Sequence, residues 1–151
     1  MLGTSAVLLT GATGNASAAE VGPMAVGQQL KNARTGLCLD SDYKGNVYTK
    51  GCAGDHNNPY QQWIFQWPSN GKVKFENVQT GRCLQRSGWE GVITGSCDSS
   101  FAEWQEDYLG SQRYNFIADN GLALDSDAKG NAYLHVKNNG SANPYQQWWL
   151  W

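Results

Sequence analysis

Two aspartates spaced by one residue occur twice in the chain: Asp40 and Asp42 in LDSDYKGN (39–46), and Asp125 and Asp127 in LDSDAKGN (124–131). Three chemistries suit such a pair. Asp-x-Asp-x-x-Gly matches the first half of a calcium loop, which also needs an oxygen ligand at position five and a bidentate Glu at position twelve. Counted from Asp40 those positions are Lys44 and Gly51, and from Asp125 they are Lys129 and Val136, so both copies lack the ligands. Paired carboxylates also serve glycoside hydrolysis, where they face each other across the scissile bond. Asp40 and Asp42 lie two apart on an extended segment and point the same way. A turn rich in Gly and Lys is also too wet to keep a general acid protonated. The third chemistry is simple acceptance, since an ionised carboxylate takes two hydroxyl protons at once and its charge strengthens both bonds. No Ser-His-Asp or Cys-His set is visible. Zinc is disfavoured because no CxxC pair exists and His56 and His135 have no partner at ligand spacing. Neither a metal nor a cofactor is expected, and the chain is read as no enzyme.

The elements that position these aspartates are repeats. Displaced by 85 residues, the chain matches itself without a gap: Leu39–Asp42 falls on Leu124–Asp127, Tyr48 on Tyr133, and NPYQQW at 58–63 on NPYQQW at 143–148. Displaced by 45, Cys38-Leu39 meets Cys83-Leu84 and Cys52 meets Cys97, and Trp63 reaches Trp104 after a four-residue deletion. The chain is therefore three units of about 40 residues. VYTKGC, GVITGSC and NAYLHVK are β-rich or alternating, Gly, Asn, Asp and Pro clusters separate them, and no window has helical periodicity. A solenoid of such units needs polar end caps, whereas this chain ends in QQWWLW. A strand that closes a threefold barrel explains an apolar end better, and closure removes exposed edges. Trp63, Trp104 and Trp148 are expected to converge near the threefold axis as core, with Gln61 and Gln146 hydrogen-bonding backbone that the strands leave unpaired.

Composition bounds the rest. A net charge of −2 with no basic stripe excludes a nucleic-acid binder. Seven tryptophans in 151 residues exceed what a core needs, and the surplus suits stacking on flat apolar ligand surfaces. Residues 2–13 are apolar and small, and Ala16-Ser17-Ala18 is a small-x-small cleavage signature, so residues 1–19 read as a secretory signal peptide, 20–27 as a linker and 28–151 as one domain. No Lys or Arg precedes Lys31, so the charged start of that signal is expected upstream of Met1. The apolar stretch is too short for a membrane span, which makes the mature chain secreted and extracellular. Four cysteines suit that setting and allow three connectivities. Equal 14-residue spacings within equivalent units favour Cys38–Cys52 and Cys83–Cys97.

Gln-x-Trp ending units of about 40 residues, with Cys-Leu-Asp near the start of one, resembles the ricin B-type β-trefoil lectins. LDSDYKGNVYT at 39–49 with YQQW at 60–63 is more closely similar to the actinohivin-like bacterial lectins, with Asp42 in place of an Asn. The resemblance covers about residues 28–151 and implies an all-β fold, a β-trefoil with pseudo-threefold symmetry. It also implies a shallow sugar pocket in each intact repeat, where an Asp accepts from two adjacent hydroxyls, an Asn assists and tyrosines pack on the ring. Carried over, the first pocket is Asp40, Tyr48, Tyr60 and Gln61, and the third is Asp125, Tyr133, Asn138, Tyr145 and Gln146. The implied partners are glycans, mannose-rich by resemblance, with galactosides or xylan-type polymers as further classes. Departures are visible too. The assisting Asn is Ala53 in the first repeat, where Asn57 or Asn58 is a substitute, and the third repeat has Ala123 and Lys137 for the cysteines. The loops before each Tyr-Gln are about three residues longer than in those lectins. The second repeat has Gln85, Ile93, Phe101 and Ala102 at the pocket positions and is expected to bind no sugar in this mode. Its Trp89, with Trp67, leaves a rival reading as the targeting subunit of a secreted complex with a partner protein.

Overall fold

The computed structural model describes residues 27–138 and 143–151; the signal peptide expected over 1–19 and nearly all of the linker lie outside the described residues. Twelve short strands are described: β1 (Leu30–Asn32), β2 (Cys38–Ser41), β3 (Val47–Lys50), β4 (Trp63–Gln66), β5 (Lys74–Asn77), β6 (Cys83–Ser87), β7 (Gly91–Gly95), β8 (Gln105–Gly110), β9 (Arg113–Ile117), β10 (Leu122–Ser126), β11 (Ala132–Val136) and β12 (Trp148–Leu150). No α-helix occurs among the described residues. Each repeat contributes four strands, so the 45- and 85-residue displacements of the sequence become rotations of one four-stranded unit.

The outer strands of the units close a barrel. β1 pairs with β12, β12 with β9, β9 with β8, and β4 with β5, all antiparallel. The two remaining seams are single bridges, Gln28↔Trp63 between the β1 edge and β4, and Val73↔Trp104 between β5 and β8. The three inner hairpins, β2–β3, β6–β7 and β10–β11, cap one end. This is the expected β-trefoil, with β12 as the closing strand.

The cap is held by a ring of backbone bonds that runs once around the threefold. Thr94 N–H donates to the Gly45 carbonyl at 2.9 Å, Leu134 to Glu90 at 2.6 Å, and Thr49 to Gly130 at 2.8 Å. Each bond joins one repeat's hairpin turn to the next repeat's second hairpin strand. Gly45 and Gly130 have φ of 96° and 93°, and a Cβ on them would lie 3.0 Å from the Thr94 carbonyl oxygen and 2.8 Å from that of Thr49. Both the left-handed backbone and the close approach require glycine there.

Trp63, Trp104 and Trp148 are fully buried in one cluster that includes Phe75, Phe116 and Leu30. Their indole N–H groups donate to the carbonyls of Leu39, Leu84 and Leu124 at 3.1, 2.9 and 3.0 Å. The Gln-x-Trp tryptophan thus ties barrel to cap while filling the core. Phe75 and Phe116 meet edge to face at 4.8 Å in the same cluster. The disulfides are Cys38–Cys52 and Cys83–Cys97, as the repeat spacing indicates, each closing a loop worth about 3 kcal/mol. The third repeat has an ion pair at this place instead, Lys137 Nζ to Asp107 Oδ2 at 2.6 Å, while Ala123 is buried where the other units have cysteine.

Candidate functional site

Strand register brings the repeated residues together. Asp40 stands opposite Tyr48 across β2–β3, and Asp125 opposite Tyr133 across β10–β11. A short 3-10 turn then delivers the second tyrosine: Pro59–Gln61 in the first repeat and Pro144–Gln146 in the third. Asn58 and Asn143 cap these turns by accepting from the backbone N–H of Tyr60 and Tyr145, both at 3.1 Å. Pro at the first turn position removes a donor that would have no partner. The next repeat braces the first turn, since Asn77 Nδ2 donates to the Tyr60 carbonyl at 2.8 Å. Asn32 Nδ2 of the first repeat does the same for Tyr145 of the third, at 2.7 Å.

Each aspartate is buried at the floor of its cleft, and a glutamine holds it. Gln61 Nε2 donates to Asp40 Oδ2 at 3.0 Å and to the Gly51 carbonyl at 2.9 Å, while its Oε1 accepts from Ala53 N–H at 2.8 Å. Gln146 repeats the set with Asp125 Oδ2 at 3.0 Å, the Val136 carbonyl at 2.9 Å and Asn138 N–H at 3.0 Å. Both glutamines are buried. They satisfy backbone and also aim the carboxylate, but they do not line the cleft. Asn138 contributes its backbone N–H to this network, and the residue that reaches the cleft is Asn143. In the first repeat Asn58 takes that place, donating to Asp40 Oδ2 at 3.4 Å.

The two clefts share a plan and differ in detail. The first, about 270 Å³, is lined by Asp40, Ser41, Asp42, Tyr43, Tyr48, Lys50, Asn58 and Tyr60. The third, about 460 Å³, has Ala128 for Tyr43 and His135 for Lys50, and Lys129 joins its lining. The buried Asp125 Oδ1 has no partner among the described residues. Ser41 and Ser126 hydroxyls are likewise buried without a partner there. Burial pushes both carboxyls above the ordinary aspartate range, and the bond from Gln61 or Gln146 opposes that rise. Burial, reinforced by the neighbouring carboxylate, raises the Tyr48 and Tyr133 phenols.

Asp42 and Asp127 do a different job. Asp42 Oδ1 accepts from the backbone N–H of Lys44 and Asn46 at 2.9 and 3.0 Å, and Oδ2 from Asn46 Nδ2 at 2.7 Å. Asp127 makes the same three bonds with Lys129 and Asn131. Led by the Asn side-chain bond, these contacts hold both carboxyls below the usual value. They are turn caps at the cleft rim. Among the described residues no group of three or more His, Cys, Asp or Glu is placed to hold a metal ion.

The second repeat is closed. The Gln85 side chain lies over Gly95, where a Cβ would meet its Nε2 at 2.2 Å. Arg86, at the place of Ser41 and Ser126, stacks 4.4 Å from the Phe101 ring centroid and pairs with Asp119 through Nε and Nη2, at 2.5 and 2.8 Å. Ala102 stands where the holding glutamine would be. The third repeat also has Ile117 at the place of the bracing Asn32 and Asn77, so the Phe101 turn lacks that clamp.

The family described as ricin-type β-trefoil lectin domain matches residues 26–148. No curated protein matches the chain. Several solved structures share the fold. The designed threefold-symmetric protein ThreeFoil is 24% identical with a TM-score of 0.67, over 82% of this chain and 96% of its own. SeviL, solved bound to asialo-GM1 saccharide, is 17% identical with a TM-score of 0.68, over 83% and 97%. The exo-β-1,3-galactanase 1,3Gal43A from Clostridium thermocellum is 21% identical with a TM-score of 0.70, over 85% of this chain but 30% of the enzyme. Among the described residues no helix is long and apolar enough to cross a membrane.

Proposed function

The chain belongs to the ricin-type β-trefoil lectin domain family, and on that premise we propose that it is a secreted, non-catalytic lectin that holds glycans in its first and third clefts. The observation that carries this reading is the repetition of one polar arrangement in two of three units: a buried carboxylate fixed by glutamine, an asparagine beside it and two tyrosines around it. Asp40 and Asp125 accept two adjacent sugar hydroxyls, Asn58 and Asn143 assist, and the tyrosines cover the C–H face of the ring. Gln61 and Gln146 position the acceptors without touching the sugar, and Asn138 supports Gln146. Among the described residues no second carboxylate is free to act as acid or nucleophile in either cleft, because Asp42 and Asp127 are committed to their turns.

Each cleft is shallow, so single-site affinity is on the order of 0.1–1 mM. Two clefts on one rigid body gain strength on glycans spaced to meet both. The actinohivin-like string favours mannose-rich glycans. The asialo-GM1 saccharide on SeviL and the galactanase context of 1,3Gal43A make galactosides the next class to test, with xylan-type polymers after them. The leader over 1–19 and linker over 20–27 belong to this proposal, and N-terminal sequencing of protein recovered from culture medium tests them. A glycan array tests the lectin itself. Binding that disappears in Asp40→Ala/Asp125→Ala supports it, and no binding to any sugar favours the targeting-subunit reading.

A further inference from the structure

Trp149 and Trp151 stand away from both clefts. Trp149 on β12 and Trp151 just beyond its end alternate with the buried Trp148 and with Leu150, and both indoles project outward from the barrel, 43% and 56% exposed. Barrel closure accounts for Trp148 and for the strand's pairing, but not for these two. Alternate residues of a strand place their Cα atoms about 7 Å apart on one face. Together with Leu150 and the turn Ser111-Gln112, the two indoles line a cleft of about 260 Å³. The matching positions of the other repeats are Ile64 and Gln66 on β4 and Gln105 and Asp107 on β8. The tryptophans are therefore no requirement of the threefold fold.

Cations surround this aromatic pair. Trp149 stands opposite Lys31 on β1 and Arg113 on β9, and residues directly opposite share a face. One cross-strand row therefore reads Lys31–Trp149–Arg113. Lys31 Nζ lies 4.6 Å from the centroid of Trp151. Arg113 donates through Nη1 to Gln147 Oε1 at 3.0 Å. Neither cation has a carboxylate partner among the described residues, in a chain whose net charge is −2.

We propose that this face is a second glycan site, independent of the trefoil clefts, for an anionic polysaccharide of the uronic-acid type. The indoles stack on the C–H faces of consecutive pyranose rings, and Lys31 and Arg113 pair with their carboxylates, Arg113 through its planar fork. A neutral chain would use the indoles and leave both cations without a carboxylate. A second copy of this protein would bring Lys31 and Arg113 against their own counterparts across a twofold axis, and like charges facing each other oppose association.

The test uses tetragalacturonate and the uncharged tetramer of galactose as probes, followed by tryptophan fluorescence and calorimetry on the whole chain. Tetragalacturonate binds, and it weakens as NaCl rises from about 20 to about 200 mM because exposed charges are screened. Trp149→Ala/Trp151→Ala costs at least about tenfold. Lys31→Ala and Arg113→Gln, which leave the indoles in place, cost about threefold to tenfold each. Asp40→Ala/Asp125→Ala changes none of this, which separates failure of this site from failure of the lectin reading. Equal binding of the neutral tetramer by the Asp40→Ala/Asp125→Ala chain, whose trefoil clefts are disabled, overturns the proposal. So does undiminished tetragalacturonate binding by the lysine and arginine variants, or a dimer in sedimentation that Trp149→Ala/Trp151→Ala dissolves.

Discussion

The clefts of the first and third repeats and the closed face of the second are built on equivalent four-stranded units, yet they present opposite surfaces. At the floor position Asp40 and Asp125 face outward to a cleft, while Gln85 folds over Gly95. At the next residue Ser41 and Ser126 leave space, while Arg86 fills it by stacking on Phe101 and pairing with Asp119. The backbone frame survives in all three: each Gln-x-Trp or equivalent tryptophan still donates to a cap carbonyl, and each hairpin turn still bonds to the next repeat. Fold and site are therefore separable in this protein. The second repeat does without the polar cluster because its tryptophan and its bond in the backbone ring carry the structure.

That separation is open to attack by mutation. The largest effect is expected from Asp40→Ala with Asp125→Ala, which should abolish binding of neutral glycans on an array while thermal unfolding changes little. Replacing Cys38 and Cys52 by Ala should cost about 3 kcal/mol in denaturant unfolding and should leave the third cleft working, since that unit has no disulfide. Gln61→Ala strips Asp40 of its holder and leaves Ala53 N–H and the Gly51 carbonyl without their partner. The expected cost is about 2 kcal/mol, with weaker binding at the first cleft alone, measured in a chain whose third cleft carries Asp125→Ala.

Proton titration probes the same carboxylates. Burial raises their pKa, so the acceptor form is lost as pH falls through a value above the ordinary aspartate range. Binding should be full near neutrality and should then fall by up to about 1.4 kcal/mol for each pH unit below that value, as calorimetry across pH would read. The smallest effect is expected in the second repeat. Arg86→Ala breaks a surface ion pair with Asp119 and should change stability little while creating no sugar site, because Gln85 and Ala102 remain.

Much of this was legible in the chain. The 85-residue self-match places Asp40, Tyr48 and Tyr60 on Asp125, Tyr133 and Tyr145, and strand register then brings each set together. The Trp63, Trp104 and Trp148 core, the disulfides and the closing role of β12 follow from spacing and apolar pattern. Asn143 carries only a local signal. Asn-Pro before Tyr-Gln is a capping signal, but motif carry-over pointed to Asn138, whose backbone rather than side chain enters the network. Arg86 with Asp119 had no local signal, because its partners are 33 residues apart and belong to different repeats. The row Lys31–Trp149–Arg113 joins three strands from both ends of the chain and became visible only with the β-sheet register.

The count of sugar sites tests the central claim most directly. Calorimetric titration of the whole chain with the neutral glycan selected by the array should give two sites, one after Asp40→Ala or Asp125→Ala, and none after both. Three sites, or binding that survives the double substitution, would contradict the assignment of recognition to the first and third clefts.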